Sequence, residues 1–256
     1  YSENFSFNVD HLWLFFSVIF TTSSGYLINN YYDINSDELN KKNIEGLSKK
    51  FYRNCYLFHF LFSFVILFIS NLSAGWMNLV IISHFLVYLY SLKLQHWPII
   101  GNLIVALLCS IVLIIPYWLI DKFWELENFN LSENLNQLFV IFCFLLTVKR
   151  EIVKDLEDIQ GDLKTSSYTL PILIGEKLSK LVLGILVIIS LGFLIICALE
   201  STKNIQNMGF FFTMISLLIA FIYKTYKSFE KTDFKKLSNL LKINFLAAGI
   251  WLYILL

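Results

Sequence analysis

Oxygen-bearing side chains recur at intervals of four residues near position 30 of this 256-residue sequence. Asn29, Asp33 and Asp37 occupy these positions, directly after a run of apolar residues. Each residue of an α-helix turns the chain by about 100°, so the three side chains fall within about 80° of one another. Carboxylate and carbonyl oxygens are the ligands that Mg²⁺ prefers in proteins. The spacing therefore predicts a helix face that can hold a divalent cation.

A second acidic cluster follows another apolar run. Asp155, Asp158 and Asp162 have i, i+3, i+7 spacing. On a continuous helix they share an arc of about 60°, with Glu151 on the same side. Gly161 is a candidate end of this helix, which would change the geometry at Asp162. The pattern predicts a second helix face that carries several carboxylates.

Two interpretations of these clusters are open. Acidic residues at the ends of apolar helices are often solvated surface charge. Several carboxylates on one face repel one another, however, unless a cation or a cationic partner offsets their charge. Two such faces at the same membrane level favour a divalent-metal site, with Mg²⁺ shared between a few carboxylates and the phosphates of a substrate.

The elements that must position these clusters are apolar helices. Hydrophobic residues make up 57% of the chain, more than a soluble domain of this length needs for its core. Eight apolar runs approach the roughly 20 residues that cross a hydrocarbon layer of about 30 Å, at 11–30, 55–73, 76–93, 97–120, 135–154, 178–199, 207–224 and 237–256. The fold class predicted is an all-α polytopic membrane bundle with eight transmembrane helices. The fifth run continues without a breaker into the second cluster, so we expect its helix to project beyond the membrane.

The positively charged residues predict the orientation of this bundle. If the runs alternate in direction, 18 of the 20 lysines and arginines lie on one side, and only Lys122 and Lys203 lie on the other. Lysine and arginine accumulate in the cytoplasmic loops of membrane proteins. Both acidic clusters fall on this positive side. We therefore expect a multi-pass integral protein of the plasma membrane whose acidic clusters face the cytoplasm.

The first residues suggest a missing element. The sequence begins with Tyr1, and its first ten residues contain no lysine or arginine. One further helix before residue 1 would return the N-terminus to the positive side. The expectation is a single domain over 1–256 that lacks its first helix, with nine helices in the complete protein.

Both clusters are similar to the signature of a known family. Asn29 to Asp37 matches NxxxDxxxD, and Asp158 to Asp162 matches DxxxD with Asp155 at an additional upstream position. Gly101 to Ala106, after Tyr90 and Lys93, and Thr169-Leu170-Pro171 extend the likeness. The sequence resembles the UbiA superfamily of intramembrane prenyltransferases, which are nine-helix bundles. The segment 150–175 is most similar to the digeranylgeranylglyceryl phosphate synthases and their bacterial relatives.

The resemblance implies roles for individual residues. The catalytic residues would be Asp33, Asp37, Asp158 and Asp162, and the ligands of Mg²⁺ would be Asn29, Asp33, Asp37, Asp155, Asp158 and Asp162. Substrate-binding residues would include Asn29, Asn102 and three phosphate contacts, Lys93, Arg150 and Lys154. Aromatic faces near the allylic cation would come from Tyr31, Tyr32, Tyr90 and Tyr168. The alternatives are positive-inside anchoring for the basic residues and an interfacial belt for the tyrosines.

The resemblance also implies the substrates. An isoprenyl diphosphate, geranylgeranyl diphosphate in the favoured case, would give its prenyl group to the hydroxyl of a prenylglyceryl phosphate within the membrane lipid. An ether would form, and diphosphate and a proton would leave. An aromatic acceptor of a quinone or tetrapyrrole pathway is the alternative, and a cation transporter is the non-enzyme alternative. The transporter is disfavoured because the apolar runs carry almost no Asp, Glu, Lys or Arg away from their ends.

Other features of the sequence carry no further chemistry. No basic run or nucleic-acid motif suggests DNA or RNA, and no protein partner is inferred. The four histidines are scattered, which predicts structural or interfacial roles. Residues 41–50 depart from the family pattern, because Lys41, Lys42, Lys49 and Lys50 keep the charge of a segment that is rich in Arg and Pro in many relatives.

Overall fold

A computed structural model describes residues 9–39, 47–70, 74–118, 135–164, 167–200 and 205–255 of the chain. All regular structure in these residues is helical. Eight α-helices are present in the described part, α1 Val9–Leu39, α2 Lys49–Ile69, α3 Ala74–Leu92, α4 Ile100–Trp118, α5 Leu135–Lys164, α6 Leu170–Glu200, α7 Ile205–Lys227 and α8 Lys231–Leu255, with a 3-10 turn at Leu94–His96. Each of the eight apolar runs thus corresponds to a helix, and the all-α prediction is confirmed.

Five of the described helices are long and apolar enough to cross a membrane. The qualifying segments are Leu12–Ile34, Lys49–Ile69, Ala74–Leu92, Leu170–Leu199 and Met208–Lys227, and Ile100–Leu113 in α4 is a shorter apolar stretch. Many large apolar side chains of these helices are exposed, as expected for surfaces that face lipid rather than water. The prediction of eight membrane crossings is therefore supported for five helices by length and composition.

The chain divides into two compact units, Tyr1–Gln95 and His96–Leu256, each described here by itself. In the first unit, α1 packs against both α2 and α3. Helix α2 begins where Ser48 caps it, since the Ser48 Oγ accepts a hydrogen bond from the Phe51 N–H at 3.2 Å. Apolar residues such as Leu14, Ile66 and Val80 are buried in this unit.

A polar cluster, which we call the His84 cluster, lies among these apolar residues. His84 is buried in the middle of α3, and its two ring nitrogens lie within 3.3 Å of the hydroxyls of Thr21, Ser24 and Ser63. The rings of Phe60 and Phe64 flank the imidazole at centroid distances of 5.0 and 5.6 Å. Hydrogen bonds between polar side chains hold neighbouring helices together in lipid. The cluster therefore links α1, α2 and α3.

Helix α5 is the centre of the second unit and packs against α4, α6 and α8. Its buried face carries Leu138, Phe142, Leu146 and Val153 at intervals of three to seven residues, the helical period. The helix continues past its apolar part to Lys164, as the lack of a breaker after the apolar run predicted. Gly161 lies inside α5 and does not end it. A single glycine costs a helix only about 1 kcal/mol relative to alanine, and the surrounding residues maintain the turn.

Helix α6 begins eight residues before the apolar run that predicted it and contains a kink. Gly175 has φ 81° and ψ 163°, so the helix consists of two segments joined at this residue. Only glycine adopts such a φ without strain. Leu170 and Pro171, which follow Thr169, therefore lie in a short helical segment that precedes the main part of α6.

Candidate functional site

The first motif lies at the end of α1 and is organised around the carboxylate of Asp33. The Asn29 Nδ2 donates to Asp33 Oδ2 at 2.6 Å. The Gln95 Nε2, from the turn that follows α3, donates to Asp33 Oδ1 at 2.7 Å and to the Ser91 carbonyl at 3.2 Å. Each carboxylate oxygen of Asp33 thus accepts a hydrogen bond from a neutral amide. These bonds fix the plane of the carboxylate without adding positive charge.

The side chain of Asn29 gives the clearest indication that the first motif binds a ligand. The Asn29 Oδ1 is buried and has no hydrogen-bond partner among the described residues. A buried polar atom without a partner is costly, and a bound ion or water is a common reason for it. Asp37 follows on the same helix, but its side chain is outside the described residues. The described side chains of this motif that can donate oxygen to a metal are therefore Asn29 and Asp33, on one helix face.

The aromatic candidates near the first motif lie in different surroundings. Tyr31 and Tyr32 contact each other edge to face at a centroid distance of 5.1 Å. The Lys49 Nζ lies 4.7 Å from the centroid of the Tyr31 ring, so a cation already covers that ring. Tyr90 is partly buried and Lys93 is exposed, both at the end of α3. The structure thus shows a cation bound to one tyrosine face of this motif.

The second motif lies on the part of α5 that continues beyond the apolar run. Each of its aspartates contacts a different element. The Asn102 Nδ2 of α4 donates to Asp155 Oδ2 at 2.9 Å. The Lys231 Nζ, at the start of α8, lies 3.8 Å from Asp158 Oδ1. The Thr169 Oγ1 donates to Asp162 Oδ2 at 3.3 Å. The motif is therefore held from three sides, by α4, by α8 and by the segment before α6.

Burial and neighbouring charges both act on the carboxyl of Asp155. Burial raises the pKa of the Asp155 carboxyl to about 7, and the hydrogen bond from Asn102 opposes this rise. The negative charges of Glu151 and Asp162 raise the pKa of Asp155 further. A carboxylate in such surroundings gains from a nearby cation, because the cation offsets both the lost hydration and the repulsion. Asn102 was predicted to bind substrate, and here it orients a motif aspartate.

Arg150 and Lys154, which were predicted to contact phosphate, both pair with a carboxylate. The Arg150 Nη1 lies 2.7 Å from Glu151 Oε1, and the Lys154 Nζ lies 2.8 Å from Glu151 Oε2. The Glu151 side chain is only 6% exposed, so this acidic group is buried between its two partners. Both basic side chains therefore offset the negative charge of Glu151.

The segment between α5 and α6 connects the second motif to the start of α4. The Ser167 N–H donates to the Asp162 carbonyl at 3.1 Å, and the Tyr168 N–H donates to the His96 carbonyl at 3.1 Å. The His96 Nδ1 and Ser167 Oγ lie 2.9 Å apart. The Tyr168 side chain is exposed. Ile99 has φ 66°, a strained conformation for a β-branched residue, three residues before Asn102.

Three contact residues of the motifs were not predicted as site residues. Gln95 contacts Asp33 from 62 positions away in the chain, and Lys231 contacts Asp158 from another helix. Nothing in the local sequence indicated either residue. Thr169 could have been found, because it belongs to the Thr169-Leu170-Pro171 segment that extends the family likeness.

The donor chemistry of the two motifs fits Mg²⁺. Within the described residues, no group of three or more His, Cys, Asp or Glu side chains is arranged to hold a metal by itself. Mg²⁺ does not require such a group, since it keeps several waters and binds one or two carboxylates together with substrate phosphates. The carboxylates of Asp33 and Asp158 and the unpaired Asn29 Oδ1 are oxygen donors of this kind. The first motif belongs to Tyr1–Gln95 and the second to His96–Leu256.

Comparison with known proteins agrees with the motifs. The profile of the UbiA prenyltransferase family matches residues 2–247. A digeranylgeranylglyceryl phosphate synthase of Methanosphaera stadtmanae is 33% identical over 240 residues, which cover 91% of this chain and 83% of the relative. A protein of the same name from Methanobrevibacter smithii is 30% identical over 245 residues, covering 91% of this chain and 82% of the relative.

A solved structure is similar as well. It is described as "Structural and mechanistic insights into the biosynthesis of Digeranylgeranylglyceryl phosphate synthase in membranes". The alignment covers 98% of this chain and 87% of the solved chain, with 25% sequence identity and a TM-score of 0.64. The similarity therefore extends over nearly the whole length of the helical chain.

Proposed function

Because the chain belongs to the UbiA prenyltransferase family and is thus an enzyme that transfers prenyl groups, we propose that it makes an ether lipid. In this proposal, it transfers a geranylgeranyl group from geranylgeranyl diphosphate to the hydroxyl of geranylgeranylglyceryl phosphate. The observation that carries the proposal is the 33% identity, over 91% of the chain, to a relative named digeranylgeranylglyceryl phosphate synthase. The other relative described above has the same name.

The proposed reaction exchanges one C–O bond for another. The allylic C–O bond of the donor breaks, and the diphosphate leaves with the bonding electron pair. The acceptor hydroxyl oxygen forms the new ether bond to the same carbon and loses its proton. Breaking the allylic bond is the difficult step, because negative charge builds up on the leaving diphosphate.

The two acidic motifs are proposed to hold the metal that this charge requires. Asn29, Asp33 and Asp37 would form one set of ligands and Asp155, Asp158 and Asp162 the other. Bound Mg²⁺ would neutralise charge on the diphosphate. Gln95 and Asn102 keep Asp33 and Asp155 in fixed orientations, so little reorganisation is needed when the substrate arrives.

Other residues are proposed to act on the organic part of the substrates. Tyr32, Tyr90 and Tyr168 can present aromatic faces to an allylic cation, whereas Lys49 already covers a face of Tyr31. Lys93 remains a candidate for a phosphate contact. The prenyl chains would lie among apolar helices, because both substrates are lipids. These assignments rest on the position of the residues beside the motifs.

The proposal includes a location in the cell. The family and the five apolar helices make the chain an integral membrane protein. We place the acidic motifs on the cytoplasmic face of the plasma membrane, because lysines and arginines are concentrated on their side of the predicted topology. The family match over residues 2–247 supports a single prenyltransferase domain.

A transfer assay tests the proposed function. The purified full chain in liposomes is given labelled geranylgeranyl diphosphate and geranylgeranylglyceryl phosphate, with Mg²⁺ or with a chelator, beside the variants Asp33→Asn and Asp158→Asn. We expect a labelled ether lipid that is formed only with Mg²⁺ and is reduced at least 100-fold in both variants. Transfer that continues at full rate in the chelator or in both variants would show that the reaction does not need the motifs.

A further inference from the structure

The second motif is surrounded by three basic side chains, and they differ in what they contact. Arg150 and Lys154 both pair with Glu151, at 2.7 and 2.8 Å. Lys231 approaches the motif itself, at 3.8 Å from Asp158 Oδ1. Among these three cations, Lys231 is therefore the one that forms an ion pair within 4 Å with a proposed metal-binding aspartate.

The position of Lys231 is fixed by the turn between α7 and α8. The buried Lys180 of α6 pairs with Glu176 at 2.6 Å and donates to the Ser228 carbonyl of this turn. The Lys180 Nζ also lies 4.6 Å from the centroid of the Phe229 ring and 5.4 Å from that of the Phe234 ring. The Lys180 ammonium thus contacts residues that precede and follow Lys231 in the chain.

The first turn of α8 adds a second set of constraints. The Asp233 Oδ2 accepts from the Phe229 N–H at 3.4 Å, and the Glu230 carbonyl accepts from the Phe234 N–H at 3.2 Å. These are the hydrogen bonds of a capped helix N-terminus. The backbone of Lys231 is therefore held in place, and its side chain extends from a rigid base toward α5.

The pair between Lys231 and Asp158 is open to solvent on the lysine side. The Lys231 side chain is 48% exposed, whereas the Asp158 side chain is 15% exposed. A separation of 3.8 Å is too long for a hydrogen bond, so the ammonium does not donate to this oxygen. A lysine that is partly open to solvent and close to a metal-binding carboxylate is suited to a phosphate, which lysine binds as a point charge.

We propose that Lys231 binds the diphosphate of the prenyl donor and stabilises it as the leaving group. The inference rests on the proposed function. A divalent cation held by Asp158 would offset the negative charge that attracts Lys231, and the ammonium would then be available to the oxygens of the diphosphate. Lys231 keeps its proton throughout, and its charge opposes the negative charge that the diphosphate gains with the bonding electron pair.

The experiment compares Lys231→Ala, Lys231→Arg and a matched control, Lys236→Ala. Lys236 lies on the same helix in a similar pair, 3.4 Å from Asp233 Oδ1, with its side chain 73% exposed. For the full chain in detergent with Mg²⁺, calorimetry gives the Kd of inorganic pyrophosphate. Steady-state transfer gives KM for geranylgeranyl diphosphate, KM for the acceptor, and kcat. Thermal unfolding of each variant is recorded.

We expect Lys231→Ala to raise the Kd of pyrophosphate and the KM for the donor by about tenfold, the effect of losing one charge-assisted contact. Lys231→Arg should restore most of the affinity, and Lys236→Ala should match the unchanged protein. The KM for the acceptor and the melting temperature should not change.

Three results would overturn the inference. The first is an unchanged Kd of pyrophosphate in Lys231→Ala. The second is a rise confined to the KM for the acceptor. The third is a lowered melting temperature that accounts for the loss in both Lys231 variants. If the unchanged protein transfers nothing, the proposed function fails, and pyrophosphate binding still tests Lys231 independently.

Discussion

At the scale of single residues, the motif aspartates depend on neutral amides that come from distant parts of the chain. Gln95 holds Asp33, and Asn102 holds Asp155. An amide orients a carboxylate and leaves its negative charge in place, whereas a lysine or arginine would offset the charge that a metal needs. Each amide therefore orients a carboxylate for a cation and does not take the place of that cation.

The contact between Gln95 and Asp33 gives a testable prediction. Gln95→Ala should weaken Mg²⁺ activation, because partners that orient metal ligands typically contribute about 10- to 100-fold to metal affinity or activity. The Mg²⁺ concentration at half-maximal transfer should rise by about tenfold or more. Titration of Mn²⁺ followed by electron paramagnetic resonance measures the affinity without turnover.

Two variants serve as controls for this prediction. Asn78→Ala removes an exposed amide from α3, the helix before the turn that carries Gln95, and should leave the titration unchanged. Gln95→Asn keeps the amide but shortens the side chain, so it should recover part of the affinity at most. A Gln95→Ala protein that binds Mn²⁺ as tightly as the Asn78→Ala protein would contradict the positioning role.

The sequence predicted the motif residues better than their surroundings. The residues of both motifs could be found because spacing along one helix is a local property. They are Asn29, Asp33 and Asp37 in the first motif, and Asp155, Asp158 and Asp162 in the second. Gln95 and Lys231 could not be found, because each contact joins residues that are far apart in sequence. The partners of Arg150 and Lys154 were missed for another reason. The charge count identified both as basic residues of the cytoplasmic side but could not show that Glu151 lies between them.

At the scale of helices, the His84 cluster joins three apolar elements through hydrogen bonds. The hydroxyls of Ser24 and Ser63 each lie 2.7 Å from a carbonyl of their own helix and within 3.2 Å of an imidazole nitrogen, so each can bond to either group. The sequence predicted only a structural or interfacial role for the histidines. Which hydroxyls would meet His84 depends on the packing of α1 and α2 against α3, and a list of apolar runs does not contain that information.

Replacing His84 should weaken the first unit. His84→Leu removes the hydrogen bonds between the helices at nearly constant size, so we expect a loss of about 1–2 kcal/mol in stability. The measurement is the melting temperature in detergent, compared with Phe85→Leu, which alters an exposed neighbour on α3. Equal melting temperatures for the two variants would show that the cluster does not stabilise the packing.

The kink in α6 gives a second prediction at this scale. Gly175→Ala places a Cβ at φ 81° and should destabilise the protein by about 1–2 kcal/mol. Gly192→Ala is the matched control on the same helix, since a Cβ there meets no atom within 4 Å and the residue is helical. The difference in melting temperature between the two variants tests the kink. A Gly175→Ala protein that is as stable as Gly192→Ala would show that α6 is continuous at this position.

The helix boundaries show which parts of the helices the apolar runs did not predict. All eight runs lie on helices, but α1, α5 and α6 extend well past the runs that predicted them. Backbone hydrogen bonds continue as long as no residue breaks them, whereas apolar composition ends where the membrane is expected to end. The motifs lie in these extensions, so the continuation of the helices beyond the apolar runs is what places the aspartates on helix faces.

At the scale of the whole molecule, the distribution of charge predicts on which side of the membrane each loop lies. The first motif lies at the end of α1 on the positive side, so the start of α2 should be cytoplasmic and the start of α3 should be on the opposite side. Exposed residues at these two positions are Lys50 and Ala74. In a background without the four native cysteines, Lys50→Cys should react with an impermeant maleimide only from the cytoplasmic side. Ala74→Cys should react only from the other side, and the reverse pattern in oriented vesicles would contradict the topology.

The central claim concerns the acceptor, because the family shares its donor chemistry and the proposal differs from the alternatives in what receives the prenyl group. The direct measurement is a competition assay in liposomes, in which labelled geranylgeranyl diphosphate meets equal amounts of geranylgeranylglyceryl phosphate and 4-hydroxybenzoate, and mass spectrometry identifies the product. The account predicts the diether phosphate, with release of one diphosphate for each ether formed. A prenylated benzoate as the main product would contradict it.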